Sequence, residues 1–157
     1  MAADAGKKVY AIEPLPNFLQ TLKKTFKRRK NVEILPLAVG DQVKKGCLIA
    51  DGPASRVSKT RGEKINFTTI DKLFFDKGIN ISYLKADIEG SEYNMLLGAK
   101  KSIAKNKPKI VVTVYHHLRD AERIAKLIKR IDKNYKIRKT GISHIDGRPI
   151  LLRARID

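Results

Sequence analysis

The sequence predicts a layered α/β fold on a mainly parallel sheet, with an antiparallel hairpin at its C-terminal end. Three observations predict it. Between residues 9 and 132, short apolar runs alternate with amphipathic stretches of helical period, the order of crossover units rather than of separate blocks of strands and helices. The apolar runs end at Pro or Gly-Asp, as buried strands do. The last twenty or so residues differ in character, with two β-type runs flanking the turn sequence Asp146-Gly147-Arg148-Pro149.

Val9-Tyr10-Ala11-Ile12 reads as a buried strand stopped at Glu13-Pro14. Pro16 suits the first turn of a helix whose apolar face is Phe18, Leu22 and Phe26. Its other face carries Lys23, Lys24, Lys27 and Arg28, with Arg29 and Lys30 in the last turn, where cations interact favourably with the helix dipole. Residues 32–39 form the next strand, ended by Gly40-Asp41. Residues 46–50 and 64–68 read as an antiparallel excursion around a mobile loop at 55–62 rich in Ser, Arg, Thr and Gly. A short helix over 69–77 turns Ile70, Leu73 and Phe74 inward, and residues 82–88 form a strand. Glu89-Gly90-Ser91-Glu92 is a turn and helix start, and Met95, Leu96, Ala99 and Ile103 give that helix one apolar stripe. Residues 109–115, with Ile110-Val111-Val112, are the most apolar strand. Ala121, Ile124, Ala125, Ile128 and Ile131 mark a helix over 118–132, and residues 135–139 and 150–156 pair as the hairpin. This succession matches the later part of a nucleotide-type Rossmann sheet.

The chain has 157 residues, and 42% hydrophobic content excludes a disordered basic tail. One domain over residues 1–157 is expected. No apolar run approaches the roughly 20 residues of a membrane-spanning helix, and Met1-Ala2-Ala3-Asp4-Ala5-Gly6 lacks a secretory pattern, so the chain reads as soluble and cytoplasmic. Cys47 is the single cysteine, which excludes an internal disulfide and a cysteine-built zinc cage; no metal is expected. Thirty-four Lys+Arg against 16 Asp+Glu leave +18, a surplus that suits an anionic partner such as RNA but also a heat-adapted charged surface.

The scarce acids fall at strand ends, where open α/β sheets bind their ligands. Glu13 closes the first strand and can accept bonds from the hydroxyls of a ribose, or be a solvated residue before a proline turn. Asp41 can cap the following segment or contact a bound base. Asp87, Glu89 and Glu92 repel one another unless a cation, a ligand or a helix N-terminus offsets them. Asp87, at the end of an apolar strand, can serve as general base for a hydroxyl or ligate a divalent cation. His116 and His117 follow the most apolar strand; either can take a proton near neutral pH, or cap the next helix. Cys47 and His144 have no partner at catalytic spacing and read as structural.

Several segments taken together resemble the FkbM family of S-adenosylmethionine-dependent methyltransferases: Val9-Tyr10-Ala11-Ile12-Glu13-Pro14-Leu15-Pro16, Leu37-Ala38-Val39-Gly40-Asp41, Thr69-Ile70-Asp71-Lys72-Leu73, Leu84-Lys85-Ala86-Asp87-Ile88-Glu89-Gly90-Ser91-Glu92 and Leu97-Gly98-Ala99. The resemblance covers roughly residues 5 to 118. It implies a Rossmann-like class I methyltransferase fold, a three-layer sandwich, and S-adenosylmethionine as cofactor. By the same resemblance Glu13, with Pro14 beside it, and Asp41 bind the cofactor's ribose and adenine, while Asp87 and Glu89 face the methyl group and acceptor. His116 joins these two as a catalytic candidate. The resemblance also leads us to expect a domain without its first strand and Gly-rich cofactor turn, its strands at Val9 and Tyr83 pairing directly, leaving a gap, or being completed by another chain in a homo-oligomer.

The leading expectation is an O-methyltransferase acting on a hydroxyl of a small molecule or sugar. The alternative is a non-catalytic basic module binding nucleic acid through Lys23 to Lys30 and through Lys126, Lys129, Arg130, Lys133, Lys136, Arg138 and Lys139. Few aromatics interleave those cations, so base stacking has little support.

Overall fold

The computed structural model describes residues 3–51, 54–58 and 61–157, and the chain divides into two compact units. The first holds residues 1–39 and 43–67, and the second 40–42 and 68–157.

In the first unit, β1 (Val9–Ile12) and β2 (Val32–Leu35) are parallel, in register from Val9 opposite Val32 to Ile12 opposite Leu35. Helix α1 (Pro16–Thr25) connects them, with proline at its start as expected. Its inward face is rotated from the Phe18, Leu22, Phe26 stripe: Leu15 and Leu19 are buried and Phe18 is 44% exposed. The cause is local, since the half-buried carboxylate of Glu13 takes the Leu15 N–H and draws Leu15 inward. The single strand expected over 32–39 is two. Pro36 has no N–H to continue the ladder, and β3 (Ala38–Val39) joins another sheet in the order β3-β6-β4-β5. In that sheet β4 (Lys44–Asp51) pairs antiparallel with β6 (Glu63–Thr68), the expected excursion. The expected loop is largely absent: β5 (Ala54–Ser58) pairs antiparallel with β4, and residues 59 and 60 of that stretch lie outside the described residues. Leu15, Ala38, Leu48, Ile65 and Phe67 form this unit's buried cluster.

The second unit is built on the sheet β7-β8-β10-β9. Strands β7 (Tyr83–Ala86) and β8 (Lys109–Thr113) are parallel, and β10 (Pro149–Arg155) lies antiparallel between β8 and β9 (Lys136–Ile142). The hairpin is therefore as expected, longer at its turn end. Among the described residues β1 has β2 as its ladder neighbour, and β7 has β8. The short helix expected over 69–77 is a π-helical stretch, Asp71–Phe75, with Ile70 and Phe74 buried. Helix α4 (Asp120–Ile131) buries Ala121, Ile124, Leu127 and Ile128, while Lys126, Lys129 and Arg130 are exposed.

One expected helix is divided. The stripe Met95, Leu96, Ala99, Ile103 is buried as read, yet Met95 and Leu96 belong to α2 (Glu92–Leu97), Ile103 to α3 (Lys100–Asn106), and Ala99 to the break between them. The break falls at Gly98, where a Cβ would overlap the Gly40 carbonyl oxygen. Asp71 fixes the new helix start: its Oδ1 accepts the Ser102 N–H at 2.8 Å and its Oδ2 the Lys101 N–H at 3.0 Å, while its own N–H donates to the Gly98 carbonyl. Such bonds satisfy donors that a helix N-terminus leaves orphaned.

Candidate active site

Two neighbouring parallel strands, β7 and β8, end at Ala86 and Thr113, and the residues just past those ends come together. Asp87 follows β7 directly, and Thr113 Oγ1 lies 3.1 Å from Asp87 Oδ1 and 2.8 Å from Glu92 Oε1. One hydroxyl hydrogen is thus shared between two carboxyl groups. Glu92 opens α2 and reaches back, its Oε1 also accepting the Ile88 N–H at 2.8 Å. It is wholly buried, and its Oε2 has no hydrogen-bond partner among the described residues.

His116, three residues past β8, bridges the acids. Its Nε2 is 3.2 Å from Glu89 Oε2 and its Nδ1 3.6 Å from Glu92 Oε1, with the side chain 11% exposed. The Tyr115 ring sits 4.1 Å from the imidazole, and its phenol is held above its ordinary range by burial and then by the charges of Asp87, Glu89 and Glu92. The turn carrying Glu89 is strained. Glu89 has φ +53° and Gly90 φ +88°, two successive left-handed residues, of which Glu89 is of a type that rarely adopts that region. A Cβ on Gly90 would come 2.6 Å from His117 Nε2. Glycine thus admits both the turn and the second histidine, whose N–H donates to Asp120 at the start of α4.

The structure brings together Asp87, Glu89 and His116 of the residues the sequence points to. Glu13 and Pro14 belong to the first unit, where Glu13 Oε1 accepts the Leu15 N–H at 2.9 Å. Asp41 is exposed and makes no hydrogen bond or ion pair with the described residues. Two further members complete the group. Thr113 is a polar residue closing the run Lys109-Ile110-Val111-Val112, a signal the sequence does contain. Glu92 reads from sequence as a helix-start acid; its burial against Thr113 depends on the neighbouring strand.

No lysine or arginine pairs with Asp87, Glu89 or Glu92 among the described residues. Asp120 in the same unit is different: equally buried, it stands 2.6 Å from Arg123 Nε, whose guanidinium lies 4.5 Å from the Tyr93 ring centre.

A family model for the methyltransferase FkbM domain matches residues 1–138. Among solved structures, methyltransferase FkbM from Methylobacillus flagellatus KT superposes with a TM-score of 0.74 at 23% identity, over 94% of this chain and 36% of that one. The chain thus spans about a third of that relative's length. SMU.1697c from Streptococcus mutans, described as a candidate methyltransferase and crystallised with SAH, superposes with a TM-score of 0.52 at 13% identity, over 94% of this chain and 75% of that one. No curated protein sequence matches. The α/β architecture with mixed sheets is that of these methyltransferase structures. No helix among the described residues is long and apolar enough to cross a membrane.

Proposed function

The chain belongs to the FkbM methyltransferase domain family, and on that premise we propose that it transfers a methyl group from S-adenosylmethionine to a hydroxyl of a small molecule or sugar. The observation that carries this reading is the gathering of Asp87, Glu89 and His116 past the carboxyl ends of two adjacent parallel strands, the place where an open α/β sheet presents chemistry to a ligand.

For the cofactor the resemblance supplies Glu13, Pro14 and Asp41. Glu13 lies at the carboxyl end of β1, half-buried, with Oε1 engaged by the Leu15 N–H, so that Oε2 is left to accept a ribose hydroxyl. Pro14 stiffens the turn beside it, and the exposed Asp41 is free to meet an adenine. When bound, S-adenosylmethionine supplies a methyl group activated by its positive sulfur. The chain's own work is alignment and proton removal. Asp87, exposed and held by Thr113, accepts the proton of the acceptor hydroxyl. His116, in contact with Glu89 and Glu92, orients these two acids beside Asp87.

Calorimetric titration of the chain with S-adenosylhomocysteine tests the reading. A saturable isotherm is expected, with Glu13→Ala weakening it roughly tenfold to a hundredfold, the worth of about 1.5–3 kcal/mol for hydrogen bonds to a charged group. Absence of heat at high protein concentration overturns it. The nucleic-acid reading has no observation to carry it, and of its cations Lys136 is paired with Asp157 and Lys139 with Glu122.

A further inference from the structure

We propose that Asp87, Glu92 and His116 bind a divalent cation of the Mn²⁺ type. Each offers one ligand atom, and the three atoms lie within 4.8 Å of one another. A filled shell brings such donors to roughly 3–4 Å, given metal–ligand bonds of about 2.0–2.2 Å, so a modest inward movement closes it.

An acidic cluster alone would not establish this. The second observation is the state of the buried atoms. Glu92 is 0% exposed, and its Oε2 has no hydrogen-bond partner among the described residues. Both ring nitrogens of His116 are buried and likewise make no hydrogen bond there, their contacts with Glu89 and Glu92 being ion-pair approaches only. A buried carboxylate oxygen without a donor is costly, and charge in such a place is ordinarily paired or coordinates a metal. The chain has 34 Lys+Arg, yet no such side chain pairs with Asp87, Glu89 or Glu92 among the described residues. Among the described residues the nitrogen-bearing side chain that meets Glu89 and Glu92 is His116, itself of a metal-ligating type.

The donor set selects the ion. Carboxylates suit Mg²⁺, Ca²⁺ and Mn²⁺, and imidazole suits Zn²⁺, Cu²⁺, Fe²⁺ and Ni²⁺. Two carboxylates with one imidazole span both preferences, with the carboxylates in the majority, and Mn²⁺ represents the carboxylate-preferring ions with a free-ion electron-spin signal that can be followed. Thr113, bonded to both carboxyl groups, positions them for one ion.

The inference does not depend on methyl transfer and is read without cofactor or acceptor. The full chain, stripped with a chelator, is titrated with Mn²⁺ while calorimetry and the electron-spin signal of free Mn²⁺ are followed. One saturable site and a raised Tm are expected. His116→Ala and Asp87→Asn should each weaken binding at least tenfold, and Glu122→Gln, an exposed acid of α4, should leave it unchanged. If His116→Ala fails to fold, His116→Gln and Asp87→Asn give the same reading. No saturable binding up to millimolar Mn²⁺, or binding that ignores all these substitutions, overturns the proposal. Loss of S-adenosylhomocysteine binding with Mn²⁺ binding intact would count against the methyltransferase reading alone, and the reverse against the cation alone.

Discussion

Two corners of the second unit are made from the same parts and spend them differently. At the corner before α3, Asp71 has one backbone N–H on each carboxylate oxygen, and Gly98 admits the Gly40 carbonyl. At the corner before α2, Asp87 shares one hydroxyl with Glu92, Glu92 keeps an unpartnered oxygen, and Gly90 admits His117. Both have a carboxylate, a glycine and the start of a short helix. The first satisfies its carboxylate with fixed donors; the second leaves a buried carboxylate oxygen without one among the described residues. A carboxylate held by two backbone donors is a structural device, and the one left with an unpartnered oxygen is where the proposed chemistry falls.

Substitution separates the two corners, most sharply at their glycines. Gly98→Ala sets a Cβ against backbone that cannot turn aside, and is expected to cost about 3 kcal/mol, the upper end for overpacking. At about 2–4 °C per kcal/mol for a chain of this size, thermal unfolding should show it plainly. A Gly98→Ala protein as stable as the parent would mean the corner is not closed. Asp71→Ala comes next, at about 1–2 kcal/mol for lost capping bonds, with the loss read by denaturant midpoint.

The far end of α3 extends the closed corner. Tyr135 is wholly buried, and its hydroxyl donates to the Pro108 carbonyl at 2.8 Å. Burial, with a smaller part from the Asp132 charge, pushes the phenol up to about 12. The folded state therefore prefers the neutral phenol more strongly than the unfolded chain, which ionises near pH ~10. The stabilisation is whole below about pH 10 and is lost as pH rises from there through about 12. Tyr135→Phe should cost about 1 kcal/mol at neutral pH and remove that alkaline decline; a decline that persists in the variant would place its origin elsewhere.

Gly90→Ala has a smaller effect than Gly98→Ala despite the left-handed φ at Gly90. The obstacle is the end of His117, an exposed side chain that can swing away, so backbone strain of about 1 kcal/mol remains. Equal costs for the two glycine substitutions would erase the distinction between a corner closed by backbone and one lined by a movable side chain.

How far the sequence discloses these corners depends on the range of the interaction. The strand at Ile110, helix α4 and the terminal hairpin follow from period and turn residues alone, because local apolar spacing fixes which face is buried, whereas the strand at Val9 forms where expected but is half-buried along its whole length rather than buried. The acids past β7 are legible as a cluster for a similar reason: charge beside an apolar run is conspicuous. The division at Gly98 is not, since it comes from the carbonyl of Gly40, nearly sixty positions earlier, and an apolar stripe crosses it without a change of period. Nor is the departure of β3 into a different sheet, decided by pairing with β6. Phe18 looks like core on spacing, yet the turn made by Glu13 and Leu15 rotates the helix by about one residue. Thr113 shows the limit most clearly, for its meaning comes from Asp87 on the adjacent strand and Glu92 on the following helix.

Asp87→Asn has the smallest expected effect on folding and tests the open corner directly. The amide keeps an oxygen and adds donors beside Thr113 and Glu92 while one of three neighbouring negative charges disappears. Without a bound cation, the relief of repulsion and the new donors should leave stability unchanged or raise it by less than about 1 kcal/mol. Methyl transfer, if Asp87 takes the acceptor proton, should fall by about 10²- to 10⁴-fold. Asp71→Ala reverses the pattern, losing stability while keeping the acids past β7 intact. If Asp87→Asn instead destabilised the chain as much as Asp71→Ala, Asp87 would be part of the scaffold, and the proton would have to leave through Glu89 and His116.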